Sequence, residues 1–413
     1  MVLVSLKNDA SKIIDSAITA ALPDTAVKKA LQGLDFSGGR LLLVAIGKAA
    51  WSMAKAAADI LGELIEDGVV ITKYDHSKGE LPKIRIYEAG HPIPDENSFA
   101  ATEQAIQLVS NLTPEDKVLF LISGGGSALF EKPLIPKDLL EHLTRQLLAS
   151  GADIVEMNTI RKRLSAVKGG KFAKLCEPAQ MYSVVLSDII GDPLDMIASG
   201  PAYPDSSTSE QALEIIRKYN ITVSEEVRAL LNVETPDTIA NVKTMITGSV
   251  TQLCAAAEKT CLELGYKPVV LTASLNCEAR EAGSFLASIA QYHNNSDKSL
   301  AFIAGGETIV HLKGSGKGGR NQELALAAAD GISELNNIVV FSIGSDGTDG
   351  PTDAAGGYVD TNTKKALAEK GIAIFDVLEN NDAYHGLKKC DGLIITGPTG
   401  TNVNDLSVLL IKR

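Results

Sequence analysis

Aromatic residues are scarce in this chain. Phe, Trp and Tyr together make up 5% of its 413 residues, with a single tryptophan. Few rings are therefore on offer for stacking bases. There is no basic excess either, because 39 Lys and Arg face 51 Asp and Glu, a formal charge of −12. Nucleic-acid binding needs a strong basic patch against the phosphates, so nucleic acid is not an expected partner. No apolar run approaches the roughly 18 residues that span a bilayer, and no membrane partner is expected. The five cysteines, Cys176, Cys254, Cys261, Cys277 and Cys390, stand singly, with no C-x-x-C pair and no histidine at zinc-ligand spacing. An odd, scattered set in a long chain predicts free thiols in a reducing, cytoplasmic compartment. The opening Met1-Val-Leu-Val-Ser-Leu-Lys-Asn-Asp9 is too short and too soon charged for a signal peptide. The P-loop pattern G-x-x-x-x-G-K-[ST], the zinc pattern H-E-x-x-H and the nucleophile elbow G-x-S-x-G are all missing.

Glycine, by contrast, is plentiful at 36 residues, and hydrophobic residues make up 45% of the chain. That balance fits aliphatic strands joined by tight turns, and the length suits two or three domains of about 150 residues. Short aliphatic runs read as strands at Leu41–Ile46, Val69–Thr72, Ile84–Tyr87, Lys117–Ile122 and Tyr182–Leu186. Later runs follow at Pro268–Leu271, Leu300–Ala304, Thr308–Leu312, Ile338–Ile343 and Ser407–Ile411. Longer periodic segments between them read as helices, among them Asp9–Leu22, Ala49–Leu61, Asn97–Asn111, Val250–Leu264, Cys277–His293 and Asn321–Ile332. Alternation in both halves predicts an α/β protein of two Rossmann-like domains with largely parallel sheets. The polar, Pro236-containing stretch 232–241 divides it into domains 1–235 and 240–413, with the last strand a candidate to return to the first domain.

In open α/β sheets ligands bind beyond the carboxyl ends of strands, and the unusual loops of this chain fall there. Gly47-Lys48 follows one strand and opens a helix. Ser123-Gly124-Gly125-Gly126-Ser127 follows another, and three glycines free backbone N–H groups to surround an anion; the alternative is a plain tight turn. The basic stretch Arg161-Lys162-Arg163 reads either as a solvated helix face or as part of an anion clamp, since Arg161 and Lys168 share a face if their helix continues. Asp188 and Asp192 sit in a glycine-proline turn, where a carboxylate can hold Mg²⁺ or take a proton from a hydroxyl; ordinary turn chemistry is the alternative. Gly314–Gly319 spells G-x-G-x-x-G, but His311 and Lys313 in the run before it and the lack of a following acidic strand end make a poor dinucleotide match. With Lys317 and Arg320 it reads better as a phosphate site. Asp346, Asp349 and Asp353 crowd the loop after Ile338–Ile343. Gly357 stands where a calcium loop needs glutamate, so Mg²⁺ held partly by phosphates fits better, and turn chemistry is the alternative.

Taken in order, these loops resemble the glycerate 2-kinase family, whose C-terminal half is the MOFRL domain. The matching stretches include Gly47-Lys48-Ala49, His91-Pro-Ile-Pro-Asp95, Ser123–Ser127, Asn158-Thr-Ile-Arg161 and Lys168-Gly-Gly. They continue with Leu186-Ser-Asp188, Gly191-Asp192, Gly305-Gly306-Glu307-Thr308, Gly318-Gly-Arg320-Asn321-Gln-Glu323, Gly344-Ser-Asp346-Gly-Thr-Asp349 and Asn402-Val-Asn404-Asp405. The resemblance covers nearly the whole chain. It implies transfer of a phosphoryl group from ATP to D-glycerate, giving 2-phosphoglycerate and ADP with a divalent metal, in a cleft between two α/β domains. On it Lys48 and Arg320 neutralise the transferring group, and Asp188 or Asp192 holds metal or accepts the hydroxyl proton. Ser123, Gly124, Gly125, Gly126, Ser127, Arg161, Lys168, Gly305, Gly306, Glu307, Lys317 and Asn321 contact substrate or phosphate, and Asp346 and Asp349 the metal. A homodimer is compatible with it. The competing readings are an NAD(P)-dependent hydroxypyruvate or glycerate oxidoreductase and a non-catalytic binder of small anions.

Overall fold

A computed structural model of the chain describes residues 2–413, with side chains from residue 5 onward. Two compact units emerge. One comprises Ala26–Ser187 and Asp192–Thr247; the other comprises the residues up to Thr25, Asp188–Gly191 and Gly248–Arg413.

The first unit is built on strands β1 (Leu41–Ile46), β2 (Ile65–Lys73), β3 (Ile84–Ala89), β4 (Lys117–Ile122), β5 (Gln180–Leu186) and β6 (Val242–Gly248). Their order in the sheet is β3-β2-β1-β4-β5-β6, and β1 to β5 pair in parallel. Strand β1, Leu-Leu-Leu-Val-Ala-Ile, is buried along its whole length. That is the continuous apolar run expected of a parallel strand covered on both faces. The chain order reverses between β1 and β4, which makes the carboxyl ends of those two strands the topological switch point, where doubly wound sheets bind ligands.

The second unit carries β7 (Lys267–Leu275), β8 (Leu300–Gly306), β9 (Ile338–Gly344), β10 (Gly356–Asp360), β11 (Leu393–Ile394) and β12 (Asp405–Ile411), in the order β11-β10-β9-β12-β8-β7. β7 and β8 are parallel, while β12 runs antiparallel to both β8 and β9 and β10 antiparallel to β9. The register sets Asp405, the first residue of β12, opposite Gly306 at the end of β8 and Gly344 at the end of β9.

Four sequence-based expectations differ from this structure. The helix Val2–Ala20 belongs with the second unit, not with a domain 1–235, because Leu6, Ala10, Ile13, Ile14 and Ala17 bury in the same core as Val339, Phe341 and Val408. Burying each of the Leu and Ile side chains is worth about 1.5–3 kcal/mol. The last strand lies in the middle of the second sheet and does not return to the first. Residues 308–312 form no strand; an isolated bridge pairs Glu278 with Ile309. The helix bearing Arg161 ends at Arg163, so Arg161 and Lys168 do not share a helix face.

Candidate functional site

At the switch point of the first unit, β1 ends in Gly47 (φ 111°), and a Cβ there would lie 2.3 Å from the Ser123 carbonyl oxygen. Only glycine lets the loops after β1 and β4 approach this closely. The Lys48 N–H donates to Gly124 O at 2.9 Å, and its carbonyl accepts from Thr72 Oγ1 and His76 Nδ1. The Lys48 backbone is fixed, yet among the described residues its ammonium has no hydrogen-bond or ion-pair partner. Gly125 (φ 87°) packs so closely that a Cβ would meet His91 at 3.0 Å and Lys48 Cγ at 3.2 Å. Burial, then the charges of Lys48, Lys73 and His76, push the His91 pKa down. The site therefore has a positive field.

The Ser123–Ser127 loop divides its labour. Ser123 is structural: it is buried, donates to Ile46 O and accepts from the Ala49 N–H. The next four backbone N–H groups, those of Gly124, Gly125, Gly126 and Ser127, donate to no protein acceptor among the described residues. A run of open N–H groups beside an unpaired ammonium is an anion site in the making. The Ser127 hydroxyl bonds Ser199 Oγ at 2.7 Å, and Ser199 in turn donates to Asn158.

The basic stretch is not a solvated face. Lys162 and Arg163 are buried: Lys162 pairs with Asp205 at 3.0 Å, and Arg163 with Glu234 at 3.1 Å and Asp205 at 3.6 Å. Arg161 is half-buried and has no carboxylate partner among the described residues. Lys168 is wholly buried, donating to the carbonyls of Ser127 and Phe130 and pairing with Glu131 at 3.0 Å. Burial, against the pull of Glu131, lowers its pKa to about 8. Lys168 thus braces the loop from behind. Asp192 has a left-handed backbone (φ 52°) and a buried Oδ1 with no partner.

In the second unit, Asp188, Glu307, Arg320, Asp346, Asn404 and Asp405, with Ser345 and Asn402, line a cavity of about 310 Å³. The β8, β9 and β12 ends set opposite one another by the sheet register bring Glu307, Asp346 and Asp405 there. Arg320 forks onto Asp405 through Nε (2.5 Å) and Nη2 (3.0 Å), and its Nη1 reaches Glu307 at 2.8 Å. Burial opposes the Arg320 charge, but Asp405 and Glu307 outweigh it and its pKa rises. Burial also raises the pKa of Asp405, against the pull of Arg320. Two of the four lining carboxylates, Glu307 and Asp405, are thus already paired with the guanidinium. No group of three or more His, Cys, Asp or Glu is gathered at metal-holding distance among the described residues.

Other predicted residues are spent on the protein itself. Asp349 is buried and caps the helix Arg320–Ile332, accepting from the N–H groups of Asn321 (3.2 Å) and Gln322 (2.9 Å). Burial, partly offset by those bonds, raises its pKa to about 6. Asp349 thus occupies the helix end where a phosphate would bind and stands apart from Asp346. Asn321 is held by Asp349 and by Ser342 Oγ. Gly305 and Gly306 are close-approach residues, since Cβ atoms there would meet Cys254 Sγ at 2.5 Å and Leu275 O at 2.2 Å. The Gly314–Gly319 loop is gripped by Asn380, Asn381 and Asp382. The N–H groups of Lys313 and Gly314 donate to Asn381 Oδ1, those of Ser315 and Gly316 to Asn380, and that of Lys317 to Asp382. The Lys317 ammonium lies over the Tyr384 ring, 4.6 Å from its centroid. His91, Asn404 and Asp405 were legible only as members of longer matching stretches, because nothing in their own spacing singles them out.

Residues 9–232 match a domain of unknown function (DUF4147), and residues 300–405 match the MOFRL family. The chain is 52% identical over 413 residues to the D-glycerate 2-kinase of Thermotoga maritima, covering 98% of this chain and 99% of that protein. It is 42% identical over 438 residues to the glycerate 2-kinase of Pyrococcus horikoshii, covering 100% and 98%. It superposes on a crystal structure of glycerate kinase from Thermotoga maritima with a TM-score of 0.94 and 51% identity, covering 98% of this chain and 99% of that one.

Proposed function

Because the chain belongs to the glycerate 2-kinase family, we propose that it transfers the γ-phosphoryl group of ATP to the 2-hydroxyl of D-glycerate, giving 2-phosphoglycerate and ADP. The observation that carries this reading is the unpaired Lys48 ammonium beside four open N–H groups at the switch point of a doubly wound sheet. Phosphoryl transfer needs positioning and charge neutralisation more than covalent chemistry. The N–H groups of Gly124–Ser127, with Arg161, bind an oxyanion, either the glycerate carboxylate or a phosphate. Lys48 in the first unit supplies positive charge for a phosphate oxyanion, and Arg320 supplies it in the polar cavity of the second. The 2-hydroxyl oxygen bonds to the γ-phosphorus as the bond to the ADP oxygen breaks, and the hydroxyl proton passes to Asp188 or Asp192. Asp192 is suited to this by its unpartnered buried oxygen. Asp346, in the polar cavity, would be one protein ligand of a phosphate-bound Mg²⁺, which when bound neutralises phosphate charge.

Hydride transfer from a nicotinamide cofactor is the rival. It finds little support in the Gly314–Gly319 run, whose first N–H groups are taken by Asn380–Asp382 and whose following helix is capped by Asp349. Purified protein is offered D-glycerate with MgATP, and hydroxypyruvate with NADH and NADPH. Glycerate-dependent ADP release without oxidation of either reduced nicotinamide is expected. Nicotinamide oxidation without ADP release would overturn the kinase reading.

A further inference from the structure

The second unit holds another concavity, of about 830 Å³, which shares Glu307 and Arg320 with the polar cavity. Its character is different. Its lining includes the apolar Ile190, Ile309, Val310, Leu312 and Pro351, together with the polar Glu323, Asp349 and Asn381. Ile309 is 53% exposed and Leu312 82% exposed, so large apolar side chains stand in water at its rim. The space far exceeds what a three-carbon acid requires and falls within the range of cofactor-sized sites.

Gly318 and Gly319 line this groove and directly precede Arg320, which borders both cavities. The N–H groups of residues 313–317 are all taken by Asn380–Asp382. Those of Gly318 and Gly319 donate to no protein acceptor among the described residues, and both glycines line the groove next to Arg320. The groove thus combines exposed apolar side chains and two open N–H groups and, through the shared Arg320 and Glu307, adjoins the carboxylate-rich cavity. A metal–nucleoside polyphosphate presents the matching series: a flat apolar base, a phosphate chain, and a cation bound to it.

We propose that this unit holds the nucleotide, with the purine base against Ile309, Val310 and Leu312 and the phosphates running past Gly318–Gly319 and Arg320 toward Asp346 and Asp405. The placement rests on the kinase reading and assigns one substrate of that reaction to one half of the chain. The base is held by contact area and not by hydrogen-bond readout, so discrimination between adenine and guanine is weak.

The test uses the full chain and MgADP. Photolabelling with 2-azido-ADP, followed by peptide mapping, is expected to mark residues between Glu307 and Arg320. Ile309→Asp and Leu312→Asp, both at exposed positions, are expected to weaken MgADP binding about tenfold in calorimetry while the KM for glycerate and the melting temperature stay put. Label found within Ala26–Ser187, or unchanged MgADP affinity in both variants, would overturn the placement and leave the kinase reading standing. A wild-type chain that binds no purine nucleotide with any divalent metal would sink both.

Discussion

The two glycine-rich loops look alike in sequence and do opposite work. In Ser123–Ser127 the protein leaves four successive N–H groups and a neighbouring ammonium unspent. In Gly314–Gly319 it spends the N–H groups leading into the loop on an Asn-Asn-Asp clamp, and a Cβ at Gly314 or Gly316 would come within 2.5 Å of Asn380. Glycine in the first loop opens space for a ligand, and at Gly314 and Gly316 of the second it admits another stretch of backbone. What separates an anion cradle from a structural loop is where the backbone hydrogen bonds go.

Substitutions can break this contrast. Lys48→Ala, at an ammonium with no protein partner, is expected to lower kcat/KM about a thousandfold with an unchanged melting temperature. Near-normal turnover would remove Lys48 from the chemistry. Lys168→Ala should do the reverse first. It strands Glu131 in the core and is expected to cost about 3–5 kcal/mol of stability in denaturant titration, with activity lost only as the fold is lost.

The second loop is probed through its cap and its clamp. Asp349 ionises in the unfolded chain near 3.8 and in the folded protein near 6. The folded state holds the proton more tightly, so this group's contribution to stability falls as pH rises from about 4 to 6. At about 1.4 kcal/mol for each pH unit between the two values, that amounts to about 3 kcal/mol at most. Asp349→Asn should abolish this component, seen as a wild-type-minus-variant difference in melting temperature that changes across that window. A flat difference would show that the carboxylate is already ionised as it caps the helix. Asn381→Ala removes the acceptor of two N–H groups and a partner of Glu323. It is expected to cost about 2 kcal/mol, and Asn381→Gly, which suits the backbone at φ 52°, somewhat less.

Much of the fold could be read from the chain. Leu41–Ile46 and Lys117–Ile122 are strands to the residue, because continuous aliphatic runs between turn signals have few alternatives. Gly356–Asp360 escaped notice because its two glycines read as a turn. In the sheet they are needed, since a Cβ at Gly356 would lie 1.9 Å from Ser342 O. Thr308–Leu312 has a strand's composition but pairs only through the single bridge of Ile309 with Glu278, and its apolar residues line a groove instead. At the site, a strand end pointed to Lys48, a basic helical run to Arg161, and a glycine-rich loop ahead of a helix to Arg320. Whether a cation is free or already paired is settled only in three dimensions. Lys162 and Arg163 flank Arg161 in the sequence and are locked in buried ion pairs, while Arg161 is not.

The central claim is the identity of the reaction, and ³¹P NMR of purified protein incubated with D-glycerate, ATP and Mg²⁺ tests it most directly. The account predicts a 2-phosphoglycerate resonance growing in step with ADP. A 3-phosphoglycerate signal, or no phosphoester with any nucleotide and metal, would contradict it.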